Sequence, residues 1–194
     1  VMMLEVAMAS MIIPIQGATQ PEDITNFLNE NLVILLPISV LGLVLSMAFM
    51  GAIFIAYASL ESKKEVDALS ILLAGIKKFF PLIGAYFIAT ICVIFGFILL
   101  ILPAFYVAGR LCLFPALIML ENKSVIESLS ISWEETDEHG GALFGLTFVF
   151  FALTIFFVLI AQSLLAPGLT QLIVLAIIEY VIVIPWGYVY FSLY

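Results

Sequence analysis

The chain has 194 residues, of which 65% are hydrophobic and only 10% charged, against about 25% charged residues in soluble domains. A water-soluble fold of this size could not hide so much apolar surface, so lipid is the expected solvent; uninterrupted apolar runs also exclude a transmembrane β-barrel, whose strands alternate over about ten residues. The formal charge of −8 resides in a few acidic connections, and six basic residues in all leave no patch for nucleic acid.

In chain order, the apolar run 1–15 is expected to be the remaining half of a first spanning helix, followed by a polar connection over 16–30. Within that connection Thr19, Pro21 and Glu22 have the order of a cap, an early proline and a first-turn acid, which predicts a short acidic surface helix. Residues 31–60 form an apolar stretch longer than one perpendicular crossing and should tilt or project. Spans over 81–102 and 104–120, joined at Pro103, make a tight hairpin, and two more follow over 142–165 and 171–194 on either side of the Pro167-Gly168 turn. The expected architecture is thus all-α: a single transmembrane domain over 1–194, a helical bundle of about six spans.

Two polar connections resemble each other at an offset of sixty residues: Glu61, Lys63, Leu69, Ser70 and Ile71 align with Glu121, Lys123, Leu129, Ser130 and Ile131. Each carries an apolar stripe at helical spacing, Val66, Leu69, Leu73, Ile76 and Phe80 in one and Ile126, Leu129 and Trp133 in the other. Amphipathic helices are therefore expected over about 63–80 and 122–139, the second stopped by Gly140-Gly141. They read equally as interfacial helices or as packed connectors. In the interfacial reading Lys63, Lys64, Lys77, Lys78, Lys123 and Trp133 meet lipid headgroups. All five lysines fall in these two connections, which should face the cytoplasm, bringing both chain ends to that side.

Glu5, Arg110 and Glu179 are the ionisable residues within spans, each counted at roughly 10 to 14 Å below the outer face from a rise of about 1.5 Å per residue. A lone mid-bilayer charge is expensive, so an Arg110 ion pair is expected, with Glu179 before Glu5; the alternative is an arginine that snorkels to the interface. The run Glu134, Glu135, Asp137 and Glu138 reads as a solvated acidic face and a surface for a basic partner. His139 is the sole histidine, and Cys92 and Cys112 lie inside apolar runs as small packing residues. No nucleophile, metal-ligand spacing or glycine-rich phosphate loop stands out, so the expectation is a non-enzyme with no cofactor.

The order Val66-Asp67-Ala68-Leu69, Phe80-Pro81, Ile101-Leu102-Pro103, Pro115-Ala116-Leu117, Glu121-Asn122-Lys123, Glu127-Ser128-Leu129 and Ser132-Trp133 resembles the YciC-like bacterial inner-membrane proteins. It is similar also to the membrane domain fused to some glycerophosphodiester phosphodiesterases. The resemblance runs from about Ser59 to Leu165 and departs at Pro103-Ala104, where the family has Pro-Gly, and at the acidic run after Ser132-Trp133. It implies a helical fold in the bacterial inner membrane and no particular activity. The functional expectation is a non-enzymatic integral membrane protein acting through contacts with membrane lipids or with other membrane subunits, including as an accessory subunit of a complex. The alternative is a small transporter or lipid-handling protein.

Overall fold

The computed structural model describes residues 2–12, 21–63, 65 and 67–194. These form α1 (Met2–Ile12), α2 (Pro21–Glu61), α3 (Ala68–Lys77), α4 (Phe79–Leu99), α5 (Ile101–Arg110), α6 (Phe114–Leu120), α7 (Val125–Glu135), α8 (Gly140–Leu164) and α9 (Leu169–Phe191). No strand occurs among the described residues. Among the described residues five stretches are long and apolar enough to cross a membrane: Glu22–Glu61, Phe79–Leu99, Ile101–Leu120, Gly140–Leu164 and Leu169–Phe191. The protein is an all-α, multi-pass membrane protein with five such stretches among the described residues, against the six expected from the sequence; the run 1–15 is described only over the 11 residues of α1.

Several boundaries differ from the sequence reading. The hairpin expected to join at Pro103 turns at Leu100, and Pro103 lies inside α5. The acidic segment beginning at Pro21 is no separate surface helix; it continues through Pro37 to Glu61 as one 41-residue helix. Nothing between Glu22 and Asn31 breaks it, and spanning helices tolerate an internal proline. Gly140 opens α8 instead of stopping α7, which has already ended at Glu135. The crossing over 101–120 is discontinuous, with a turn at 111–113 between α5 and α6. Pro115 explains that turn: it has no N–H to offer the Leu111 carbonyl, and its ring would crowd that carbonyl in a straight helix. Leu111 O is instead reached by Phe114 N at 3.5 Å.

The chain divides into two compact units: Val1–Ser46 with Thr154–Val181, and Met47–Leu153 with Ile182–Tyr194. In the first, Val6, Ala161 and Ala176 are buried while Leu32, Val33, Ile34 and Leu36 stand exposed, as suits helices whose solvent is lipid.

The second unit holds the densest packing. Leu82, Ala85 and Ala89 of α4 pack with Leu111, Phe114, Ile118 and Met119 of the turn and α6, and with Leu129 of α7. Phe54 and Tyr57 of α2 meet Ala116 and Phe191. Lipid tails are as apolar as leucine, so such contacts stabilise by close packing and hydrogen bonds more than by hydrophobic transfer. Small residues accordingly sit where backbones approach. A Cβ on Gly96 would lie 2.7 Å from Ala104 Cα, and one on Gly109 would lie 3.1 Å from Leu143.

Candidate functional site

Arg110 ends α5, where a cation complements the helix dipole, and its side chain is only 2% exposed. The α5–α6 turn brings it against α7 and the residues that follow. Its Nε donates to Thr136 Oγ1 at 3.1 Å, Nη1 donates to Tyr106 Oη at 2.7 Å, and Nη2 donates to the Trp133 carbonyl. Nη1 also lies 2.7 Å from Asp137 Oδ1. The guanidinium carbon is 4.6 Å from the Trp133 ring centroid and 5.6 Å from that of Tyr106, both within cation–π range.

The sequence reading expected Glu179 or Glu5 as the partner; the ion pair observed is with Asp137. Glu179 lies in α9, in the first unit, and the side chain of Glu5 falls outside the described residues. Depth counting had treated 104–120 as a straight rod, whereas the break brings Arg110 to the connection after α7. Asp137 pairs with Arg110 yet stays exposed, as do Glu134, Glu135 and Glu138. Among the described residues no group of three metal-ligating side chains forms.

What the sequence reading missed is a stripe of hydroxyls. Ser128, Ser132 and Thr136 recur every four residues and are 0%, 0% and 2% exposed. Ser132 Oγ accepts from Leu113 N at 3.1 Å and donates to Arg110 O at 2.9 Å. It thus serves the two backbone groups orphaned where α5 gives way to α6. Four-residue spacing of small polar residues was the available signal, since it marks a close helix–helix face; the acids flanking Thr136 obscured it.

The two similar connections separate in the structure. In α7 Ser128, Leu129 and Ser132 are buried against neighbouring helices, and Trp133 covers Arg110. Lys123 pairs with Glu127 at 3.2 Å and lies 3.9 Å from Glu121. Its hydrogen bond, followed by that of the Ser124 amide, lowers the Glu127 pKa. The packed-connector reading therefore describes α7. In α3 the equivalent leucine is exposed: Leu69, Leu73 and Ile76 face outward, as does Phe80 at the start of α4. Lys63 and Lys77 are exposed and Lys78 half-buried, while Lys64 and Val66 lie outside the described residues.

The second unit also contains a partly open cavity of 510 Å³, within the range of small-molecule sites. Its wall is built from Ile53 and Phe54 of α2, Ala89, Thr90 and Val93 of α4, Ala108 of α5, Cys112 in the turn, and Trp186, Gly187 and Tyr190 of α9. Polar groups are few and mostly engaged. Tyr190 Oη hydrogen-bonds Thr147 Oγ1, which donates to Leu143 O at 2.7 Å. Trp186 stacks on Phe150 at 7° between ring planes, and its buried indole N–H meets no acceptor among the described residues. Cys112 is buried in this wall while Cys92 stands exposed on α4. Nothing in the sequence distinguishes these residues from other apolar span positions, because a cavity is a property of how four elements diverge.

A protein-family model described as "Domain of unknown function (DUF7847)" matches residues 2–164. The match covers most of the chain, which therefore belongs to that family. No curated protein matches the chain. No solved structure matches it either.

Proposed function

We propose that this DUF7847 member is a non-enzymatic membrane protein that works by holding lipid, with the cavity of the second unit as the seat of an acyl chain. The observation that carries the reading is the 510 Å³ cavity walled almost wholly by alkyl and aromatic side chains. An apolar chain entering it from the bilayer loses no hydrogen bonds and needs none. Arg110 is not in that wall, so the buried charge supports architecture better than a transport path. The transporter reading has correspondingly less support than lipid contact.

The proposed location is the bacterial inner membrane, in line with the resemblance to YciC-like proteins between Ser59 and Leu165. The connections bearing Lys63, Lys77, Lys78 and Lys123 are placed in the cytoplasm by the bias of basic residues toward that side. Tyr194 then also faces the cytoplasm, and Val1 does so if the run 1–15 belongs to a full crossing.

The test is photolabelling in proteoliposomes with a phosphatidylcholine carrying a diazirine on its acyl chain. Adducts should concentrate on cavity residues of α4, α5 and α9, and the pair Ala89→Phe and Ala108→Phe should remove them while leaving adducts at exposed Phe95 and Ile98. Labelling that is uniform over lipid-facing residues and indifferent to the filled cavity would refute the proposal.

A further inference from the structure

We infer that α3 is an interfacial anchor that binds the surface of an anionic bilayer, a task that its sequence counterpart α7 does not share. The inference is independent of the cavity, since it requires only that the chain lies in a membrane.

Three observations carry it. First, α3 is held from one side. A Cβ on Gly75 would stand 2.2 Å from the Ala48 carbonyl oxygen, so the α3 backbone rides directly on α2, and Ala74 packs against the α4–α6–α7 core. Secondly, the other side is apolar and uncovered. Leu69, Leu73 and Ile76 share one face at spacings of four and three residues, with exposures of 62%, 47% and 37%, and Phe80 extends the patch at 80%. In α7 Leu129, the counterpart of Leu69, is buried at 9%, and Trp133, the counterpart of Leu73, lies over Arg110. Thirdly, lysines that make no ion pair border the patch. Lys77, one helical turn beyond Leu73 and in the last turn of α3, borders the apolar face; Lys78 follows it, and Lys63 stands at the other end. None of these three lysines makes an ion pair among the described residues, whereas Lys123 makes two. Of the acids in the same connection, Glu61 and Glu65 are exposed, and Asp67 caps α3: its Oδ2 accepts from Ser70 N and Ser70 Oγ, each at 3.0 Å.

An apolar face bordered by free lysines matches the headgroup boundary, where alkyl side chains enter the acyl region and ammonium groups stay among phosphates. Anionic lipid is the occupant that satisfies both halves. A second protein copy would satisfy the apolar half but bring the same lysines into mutual repulsion.

The experiment uses the full chain in a Cys92→Ser, Cys112→Ala background with a nitroxide at Leu73→Cys or, as a control, at Ser130→Cys. Each is reconstituted into phosphatidylcholine vesicles with and without phosphatidylglycerol. The Leu73 label should be accessible to oxygen and protected from aqueous nickel chelate, while the Ser130 label should show the reverse. Replacing Lys63, Lys77 and Lys78 by Gln should weaken the preference for phosphatidylglycerol among co-purified lipids by about five-fold per lysine at low salt, corresponding to about 1 kcal/mol each. A Leu73 label open to the chelate in both vesicles would overturn the inference, as would dipolar broadening between labels on two copies. An unchanged lipid preference in the triple variant would overturn the anionic headgroup as the ligand.

Discussion

Replacing Arg110 by Met keeps most of the alkyl stem and removes the guanidinium, and it separates two accounts of why a charge is buried here. If the Asp137 ion pair were the main stabilising contact, Asp137→Asn would be nearly as damaging as Arg110→Met, because a buried charge stripped of its partner costs about 3 to 5 kcal/mol. The geometry points the other way. Asp137 is 76% exposed, so water or a headgroup can take its place, and exposed pairs contribute about 1 kcal/mol or less. The neutral partners are the less replaceable. Without Arg110 the Trp133 carbonyl loses its close donor, leaving only Thr136 Oγ1 at 3.5 Å; an orphaned buried group of this kind costs about 1 to 3 kcal/mol. Loss of the cation between the Tyr106 and Trp133 rings adds about 1 kcal/mol. Arg110→Met should therefore destabilise by about 3 kcal/mol, and Asp137→Asn by under about 1 kcal/mol. Unfolding in mixed micelles of dodecyl maltoside and dodecyl sulfate, followed by circular dichroism, reads both from the shift in midpoint. Equal shifts for the two variants would refute the reasoning, and so would an unshifted Arg110→Met.

Ser132→Ala should orphan the Leu113 amide, costing about 1 to 3 kcal/mol and selectively speeding hydrogen exchange at Leu113; Arg110 O keeps Thr136 Oγ1 at 3.0 Å. Gly96→Ala drives a Cβ to 2.7 Å from Ala104 Cα and should lower stability by about 1 to 3 kcal/mol. Gly141→Ala meets nothing within 4 Å and should raise stability by up to about 1 kcal/mol, so thermal midpoints of the two alanine variants should move in opposite directions. Glu127 titrates below its ordinary range because Lys123 and the Ser124 amide hold its charged form. Its contribution is complete above the unfolded carboxylate pKa and is lost as pH falls through the depressed folded value; protection against exchange at the first turn of α7, taken relative to the intrinsic amide rate at each pH, should fall on acidification in the parent chain and not in Glu127→Gln.

The spanning helices were legible because in lipid every backbone group must be satisfied within the segment, so apolar length translates directly into helix. That Pro21 and Glu22 belong to a helix was legible too, from the proline and acids that first turns favour; Thr19, the expected cap, lies outside the described residues. The Arg110 site was legible only in part. A lone arginine in an apolar run announces that a partner exists, but identifying the partner requires knowing that Pro115 and the Ser132 hydroxyl break the crossing. Similarly, the matching stripes after Glu61 and Glu121 identify two amphipathic helices and leave their roles undivided. Amphipathicity records that a helix has two faces; it does not record what covers them.

By itself, then, the sequence determined the solvent, the helical class and the presence of a buried charge, all of which follow from composition and local spacing. The tertiary structure decided that Asp137 pairs with Arg110, that α7 is packed while α3 stays uncovered, and that α2, α4, α5 and α9 leave a cavity between them. Each of these depends on contacts between residues far apart in the chain, where the choice among chemically equivalent partners is made by backbone geometry.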